Sequence, residues 1–142
     1  MKVGIASDHR GFKLKTQIII FLKNAGHKIV DYGTDSETSV DYPDFALKVA
    51  NAVVKRRVKF GILLCYSGQG MAITANKVKG IRAAICTKPE IARLARAHNN
   101  ANVLVIPAGF VRFSVNMQKT IGIFLTTKFE GGRHLRRLKI IE

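Results

Sequence analysis

The run Cys65-Tyr66-Ser67-Gly68-Gln69-Gly70 puts a thiol at the end of an apolar stretch and follows it with a glycine-rich turn that opens a helical pattern. Such a thiol faces the positive end of a helix and a row of free backbone N–H groups. These favour the thiolate, lowering the pKa below the free value of about 8.5 and giving a base or a nucleophile. The glycines allow a ligand to approach the backbone closely, and the same N–H groups suit an oxyanion. The plain alternative is that Cys65 is a small buried residue, which cysteine often is. The turn lacks two familiar phosphate-loop signatures. Met71 stands where a cysteine-dependent phosphatase needs arginine, and residues 72–76 have no Gly-Lys-Ser/Thr. The first apolar run is followed by Gly11 alone, short of a dinucleotide fingerprint.

Asp8 and His9 offer a carboxylate for sugar hydroxyls and an imidazole for an anion or a proton, or else Asp8 serves as a helix cap. His98 closes a helical pattern that carries Arg93 and Arg96. In Gly131-Gly132-Arg133-His134-Leu135-Arg136-Arg137, Arg133 and Arg137 are four apart on one helical face, where two guanidinium groups suit a phosphate. The alternative is a solvated basic face. Cys86 has no glycine turn after it and reads as core, while His27 reads as a turn residue. The four histidines and two cysteines show no metal-ligand spacing, and no cofactor motif is present.

These groups need a scaffold, and the rest of the chain supplies its pattern. Five apolar, β-branched runs recur: Val3 to Ala6, Lys28 to Asp31, Phe60 to Cys65, Ile81 to Cys86 and Ala101 to Ile106. Each precedes a segment that suits a helix, which predicts an α/β domain over 1–142 with a parallel sheet covered on both faces. In the first helix Phe12, Leu14, Ile18, Ile19, Phe21 and Leu22 form the apolar stripe, with Lys13, Lys15 and Lys23 off it and Gly26 as the stop. Gly33 to Pro43 reads as an ordered loop. Further helices are predicted over 44–57, 70–77, 89–97 and 114–127, and a last one over 130–141 with Leu135, Leu138 and Ile141 spaced by three. In parallel α/β sheets ligands bind beyond the carboxyl ends of the strands, which is where Asp8 and Cys65 fall.

The 142 residues carry a formal net charge of +15. Residues 1–44 balance six basic against six acidic side chains, so the whole excess lies in residues 45–142, with eighteen basic against three acidic. That field attracts anions, whether phosphorylated small molecules or nucleic acid. The absence of a stacking motif or a helix-turn-helix signature argues against specific nucleic-acid binding. Two isolated cysteines suit a reducing compartment. No signal-peptide pattern and no apolar run of about 20 residues is seen, which predicts a cytoplasmic protein without a membrane partner.

Several of these motifs in one order, Ser7-Asp8-His9-Arg10-Gly11, Asp41-Tyr42-Pro43-Asp44, Cys65 with Ser67-Gly68-Gln69-Gly70, His98-Asn99-Asn100 and Glu130-Gly131-Gly132-Arg133-His134, resemble the ribose-5-phosphate isomerase B family. That family also contains galactose-6-phosphate isomerase subunits. The resemblance spans nearly the whole chain. It implies a three-layer α/β/α Rossmann-like fold with a five-stranded parallel sheet, and an aldose–ketose isomerase working through a cis-enediolate without metal or cofactor. Cys65 would be the base with Ser67 beside it, and His98 would open the sugar ring with Asp8 holding the hydroxyl. Backbone N–H groups of residues 66–70, Tyr66, Gly68, Gln69 and Gly70 among them, would stabilise the enediolate together with Asn99. Tyr42 would contact the sugar, while His9, Arg133 and Arg137 would bind the phosphate. The resemblance also implies a homodimer or dimer of dimers, with the site shared and the tail helix packed on the partner subunit.

The chain departs from that family's pattern in having Tyr66 where glycine is common after the cysteine. It also has Gly109 where the family carries a phosphate-binding arginine, leaving Arg112 or Arg10 as substitutes, and its basic excess is not a family trait. Ribose 5-phosphate is the expected substrate, with allose or galactose 6-phosphate as the alternative. A nucleic-acid-binding protein on the same scaffold is the reading from a different class.

Overall fold

Residues 1–142 are described by a computed structural model. In chain order the elements are β1 (Lys2–Ser7), α1 (Phe12–Asn24), β2 (Lys28–Asp31), α2 (Tyr42–Val54), β3 (Phe60–Cys65), α3 (Gln69–Asn76), β4 (Ala83–Ile85), α4 (Pro89–Ala97), β5 (Val103–Pro107), α5 (Val115–Thr126) and α6 (Arg133–Ile141). The strands form one parallel sheet in the order β2-β1-β3-β5-β4. This is the three-layer α/β/α fold expected from the five apolar runs.

The period of two along the central strands divides the core between the two faces. Val3, Ile5, Phe60, Ile62, Leu64, Leu104 and Ile106 pack with α1, α4 and α5, whereas Ala6, Leu63, Cys65, Val103 and Val105 pack with α2 and α3. Each large side chain removed from water contributes about 1.5–3 kcal/mol. Cys65 thus ends the middle strand on the side where α3 begins.

Several boundaries and three side chains differ from the sequence reading. Helix α2 starts at Tyr42 because Pro43 fits its first turn, where no N–H is required. Strand β4 keeps three residues: Asn102 Oδ1 takes the Arg82 N–H at 2.8 Å before the strand begins. Helix α6 starts at Arg133, after Gly131 and Gly132 turn the chain with φ of 70° and 57°. Lys15 does not lie off the apolar stripe. It is 1% exposed, and its ammonium donates to Asp31 Oδ1 at 2.7 Å and to the Thr34 carbonyl at 2.5 Å, pinning the loop that leads to α2. On α6 the expected stripe is buried at Leu138 alone among its three members, while Leu135 and Ile141 stay exposed. No helix is long and apolar enough to cross a membrane.

Candidate active site

The carboxyl ends of β1, β3 and β5 bring one group of the expected residues together. The Asp8 N–H donates to the Leu64 carbonyl at 3.1 Å, locking the end of β1 to β3. Its carboxylate accepts the N–H groups of Arg10 at 2.9 Å and Gly11 at 3.0 Å, so it also fixes the turn into α1. His9 Nδ1 accepts the Val40 N–H at 3.3 Å, tying this turn to the loop before Tyr42. Tyr42 lies over Gly70, which leaves no room there for a side chain. Asp8, His9, Tyr42 and the Cys65–Gly70 turn therefore form one wall.

Gly68 makes the turn possible. Its φ of 78° lies in the left-handed region, where a Cβ is strained, and it turns the chain directly into α3. The N–H groups of Met71, Gly68 and Ser67 point at the Cys65 sulfur. Ser67 Oγ accepts the Gln69 N–H at 3.3 Å. The thiol is 5% exposed, however, and its pKa is raised rather than lowered. Burial is the largest cause and the nearby Asp8 carboxylate adds to it, while the three N–H groups pull the value back without overcoming burial. Cys86, with no such donors, is pushed up by burial to about 12 and belongs to the core as expected.

A second group assembles at the opposite edge of the sheet. Helix α4 ends at Ala97 before β5 begins, so His98 and Asn99 sit where strands start, not where they end. Five residues of β5 put about 16 Å of sheet between the two edges. The Glu130 N–H donates to the Ala97 carbonyl at 3.0 Å, which brings the start of α6 to the same place. There the imidazoles of His98 and His134 stack, with centroids 4.1 Å apart and planes 11° from parallel. Glu130 Oε2 faces both, at 3.8 Å from His98 Nε2 and 3.5 Å from His134 Nε2.

His134 is 9% exposed, and burial holds its pKa below 6.5, with His98, Arg133 and Arg137 adding to the fall. Arg133 and Arg137 project from exposed positions of the same short helix. Within one chain they and His98 are on the far side of the sheet from Cys65.

His98, Glu130 and His134 offer metal-ligand atoms within 4.8 Å of one another, a grouping that sequence spacing does not reveal. The flanking Arg133 and Arg137 oppose a dication there. Glu130 and His134 carry no role in the sequence reading. The four-residue spacing of a carboxylate and an imidazole on one helix was the available signal for that pair.

Beside Cys65 the Tyr66 ring fills the space over Gly109 and touches Phe110, with centroids 5.4 Å apart. The Arg10 guanidinium lies 4.8 Å from the centre of the same ring. Arg112 is exposed and lines an open cavity of about 850 Å³ between the starts of α4 and α5.

Comparison with known proteins adds four findings. Residues 3–141 match the family described as Ribose/Galactose Isomerase. Ribose-5-phosphate isomerase B of Escherichia coli is 40% identical over 140 residues, covering 99% of this chain and 93% of that one. Among solved structures, ribose 5-phosphate isomerase of Thermotoga maritima superimposes with a TM-score of 0.96 at 48% identity, over 99% of this chain and 96% of the other. The Mycoplasma genitalium ribose-5-phosphate isomerase B solved with bound ribulose-5-phosphate gives a TM-score of 0.91 at 44% identity, over 99% and 93%.

Proposed function

This chain belongs to the ribose/galactose isomerase family and is a sugar-phosphate isomerase, and from that premise we propose that it interconverts D-ribose 5-phosphate and D-ribulose 5-phosphate. Its working form in this reading is a homodimer, alone or paired into a dimer of dimers, whose sites each take one sheet edge from one chain and the opposite edge from its partner. The observation that carries this is the separation of Cys65 and His98 onto opposite edges of one sheet. Two-fold symmetry allows each carboxyl edge to meet the other chain's amino edge, since a contact from residue i to residue j is returned from j to i.

In such a site His98 removes the proton of the anomeric hydroxyl while the ring oxygen gains one, with Asp8 holding the hydroxyl. The Cys65 thiolate then takes the proton from C2, leaving a cis-enediolate, and returns it to C1 to give the ketose. Ser67 stands beside the sulfur. The N–H groups of the turn, with Asn99, stabilise the enediolate oxygen, and preorganised donors of this kind act on the charge as it develops. Tyr42 closes the sugar pocket, and His9 binds the phosphate with Arg133 and Arg137 of the facing chain. Asp8 raises the thiol's pKa in the free chain. The two arginines of the facing chain favour the thiolate once the dimer closes.

Mixing two inactive proteins tests this arrangement. Cys65→Ala and His98→Asn each lose nearly all turnover of ribose 5-phosphate, and subunit exchange between them restores about a quarter of the wild-type rate, because half of the dimers are mixed and each mixed dimer has one intact site. No recovery from an exchanged mixture would place both residues in the same chain's site. Comparing turnover of ribose 5-phosphate with that of allose 6-phosphate and galactose 6-phosphate fixes the sugar.

A further inference from the structure

The Tyr66–Gly109 contact and the cation stacked on it carry an inference that rests on the isomerase reading and adds a residue to it. Any side chain at position 109 would overlap the Tyr66 ring, so the ring holds its place because residue 109 is glycine. The backbone reinforces the match, since the Ala108 N–H donates to the Cys65 carbonyl at 2.8 Å and the Gly109 N–H to the Tyr66 carbonyl at 2.9 Å. Phe110 supports the ring from the side. The Tyr66 ring is then a platform next in the chain to Cys65, and the Arg10 guanidinium sits over it, 4.8 Å from its centre.

Arg10 forms no ion pair: the Asp8 carboxylate binds its backbone N–H, and no acidic side chain lies within salt-bridge reach of the guanidinium. It adjoins His9 in sequence and stands at the same sheet edge. An arginine held over an aromatic ring, with its side-chain N–H groups unpaired, keeps the fork that matches a phosphate, and the cation–π contact limits the freedom it would lose on binding. Arg112 has no such support and faces a different cavity.

We propose that Arg10 binds the substrate phosphate and that Tyr66, seated on Gly109, is the positioning residue that holds it. In effect the anionic end of the sugar is gripped from the thiol's own chain by the pair His9 and Arg10. The occupant is a phosphate monoester, and inorganic phosphate is its simplest probe.

The test uses the intact protein. Arg10→Ala raises KM for ribose 5-phosphate and the inhibition constant of inorganic phosphate together, by about ten- to a hundredfold, while kcat changes far less. Arg10→Lys recovers part of the loss. Tyr66→Ala gives a smaller rise of the same kind, and combining it with Arg10→Ala adds nothing further, because Tyr66 acts through Arg10. Gly109→Ala, which displaces the ring, behaves like Tyr66→Ala. Unchanged phosphate inhibition in Arg10→Ala overturns the proposal. Strict additivity of the two changes, or a loss in kcat alone for Tyr66→Ala, overturns the positioning role.

Calorimetric titration with inorganic phosphate reads the same site without turnover. A wild-type protein that binds phosphate through Arg10 but isomerises no pentose phosphate would therefore sink the isomerase reading and leave this one standing.

Discussion

The two edges of the sheet are built by different means. At the carboxyl edge the backbone does the placing: the Asp8 N–H locks to Leu64, the φ of Gly68 turns the chain, and three N–H groups converge on a buried sulfur. At the amino edge side chains do it, on a nine-residue helix with two buried residues, His134 and Leu138. The first arrangement is as stable as the sheet that makes it. The second rests on one imidazole stack, one shared carboxylate, one leucine, the Glu130-to-Ala97 hydrogen bond and an ion pair from Arg82 to Glu142, with only His134 and Leu138 of the helix buried. In the proposed function, rigid chemistry and adjustable grip therefore fall at opposite ends of the same strands.

The largest expected break comes from the carboxyl edge. Cys65→Ala lowers kcat by about 10²–10⁴, the range for removing a general base or acid, on every sugar phosphate the enzyme accepts. His98→Asn has a narrower effect that sharpens the contrast. It depresses turnover of ribose 5-phosphate, which must be opened, and spares erythrose 4-phosphate, which cannot close a furanose ring. Equal losses on the two sugars, measured side by side, would remove ring opening from the role of His98.

Next in size is Leu138→Ala. It costs about 2 kcal/mol, the low end for a buried leucine because its site borders solvent, and it loosens α6 while the sheet keeps its amide protection. Hydrogen exchange that rose equally in α6 and β3 would show that the edges are not independent.

Two smaller effects concern pH. Burial raises the Cys65 pKa, so alkylation of the free chain by iodoacetamide should still be accelerating as pH passes 9.0, already above the free-thiol value of about 8.5. A plateau below 9.0 would show that the helix end outweighs burial. His134 has a folded pKa below 6.5, so the folded state binds fewer protons than the unfolded one. Its contribution is complete above 6.5 and is lost as pH falls below it. Melting temperatures of wild type and His134→Phe, which keeps the stacking but cannot titrate, should diverge on acidification.

The sheet, its five strands and the turn after Cys65 were legible because period-two burial and glycine placement are local signals. The direction of the Cys65 shift was not, since sequence shows the helix end but not that the sulfur is 5% exposed. Lys15 was misread for a related reason: its partners, Asp31 and the Thr34 carbonyl, come from a loop distant in sequence. The stacking of His98 on His134 and the seating of Tyr66 on Gly109 join residues far apart in the chain, and no spacing rule announces either. The C-terminal arginines were found by their four-residue spacing, but their being on the opposite edge from the thiol needed the topology.

Helix α6 follows every element of the sheet in the chain and contributes no strand to it. A chain ending at Lys128 would therefore keep all five strands, Cys65 and His98 while lacking Glu130, Arg133, His134 and Arg137. Paired with an intact subunit, it would receive that subunit's arginines and offer none in return. The site lost would be the one built around the intact subunit's cysteine. In the proposed dimer, damage to the tail would be felt in trans, yet each intact tail would still complete one site, so working sites would number the intact tails whichever chain supplied the cysteine.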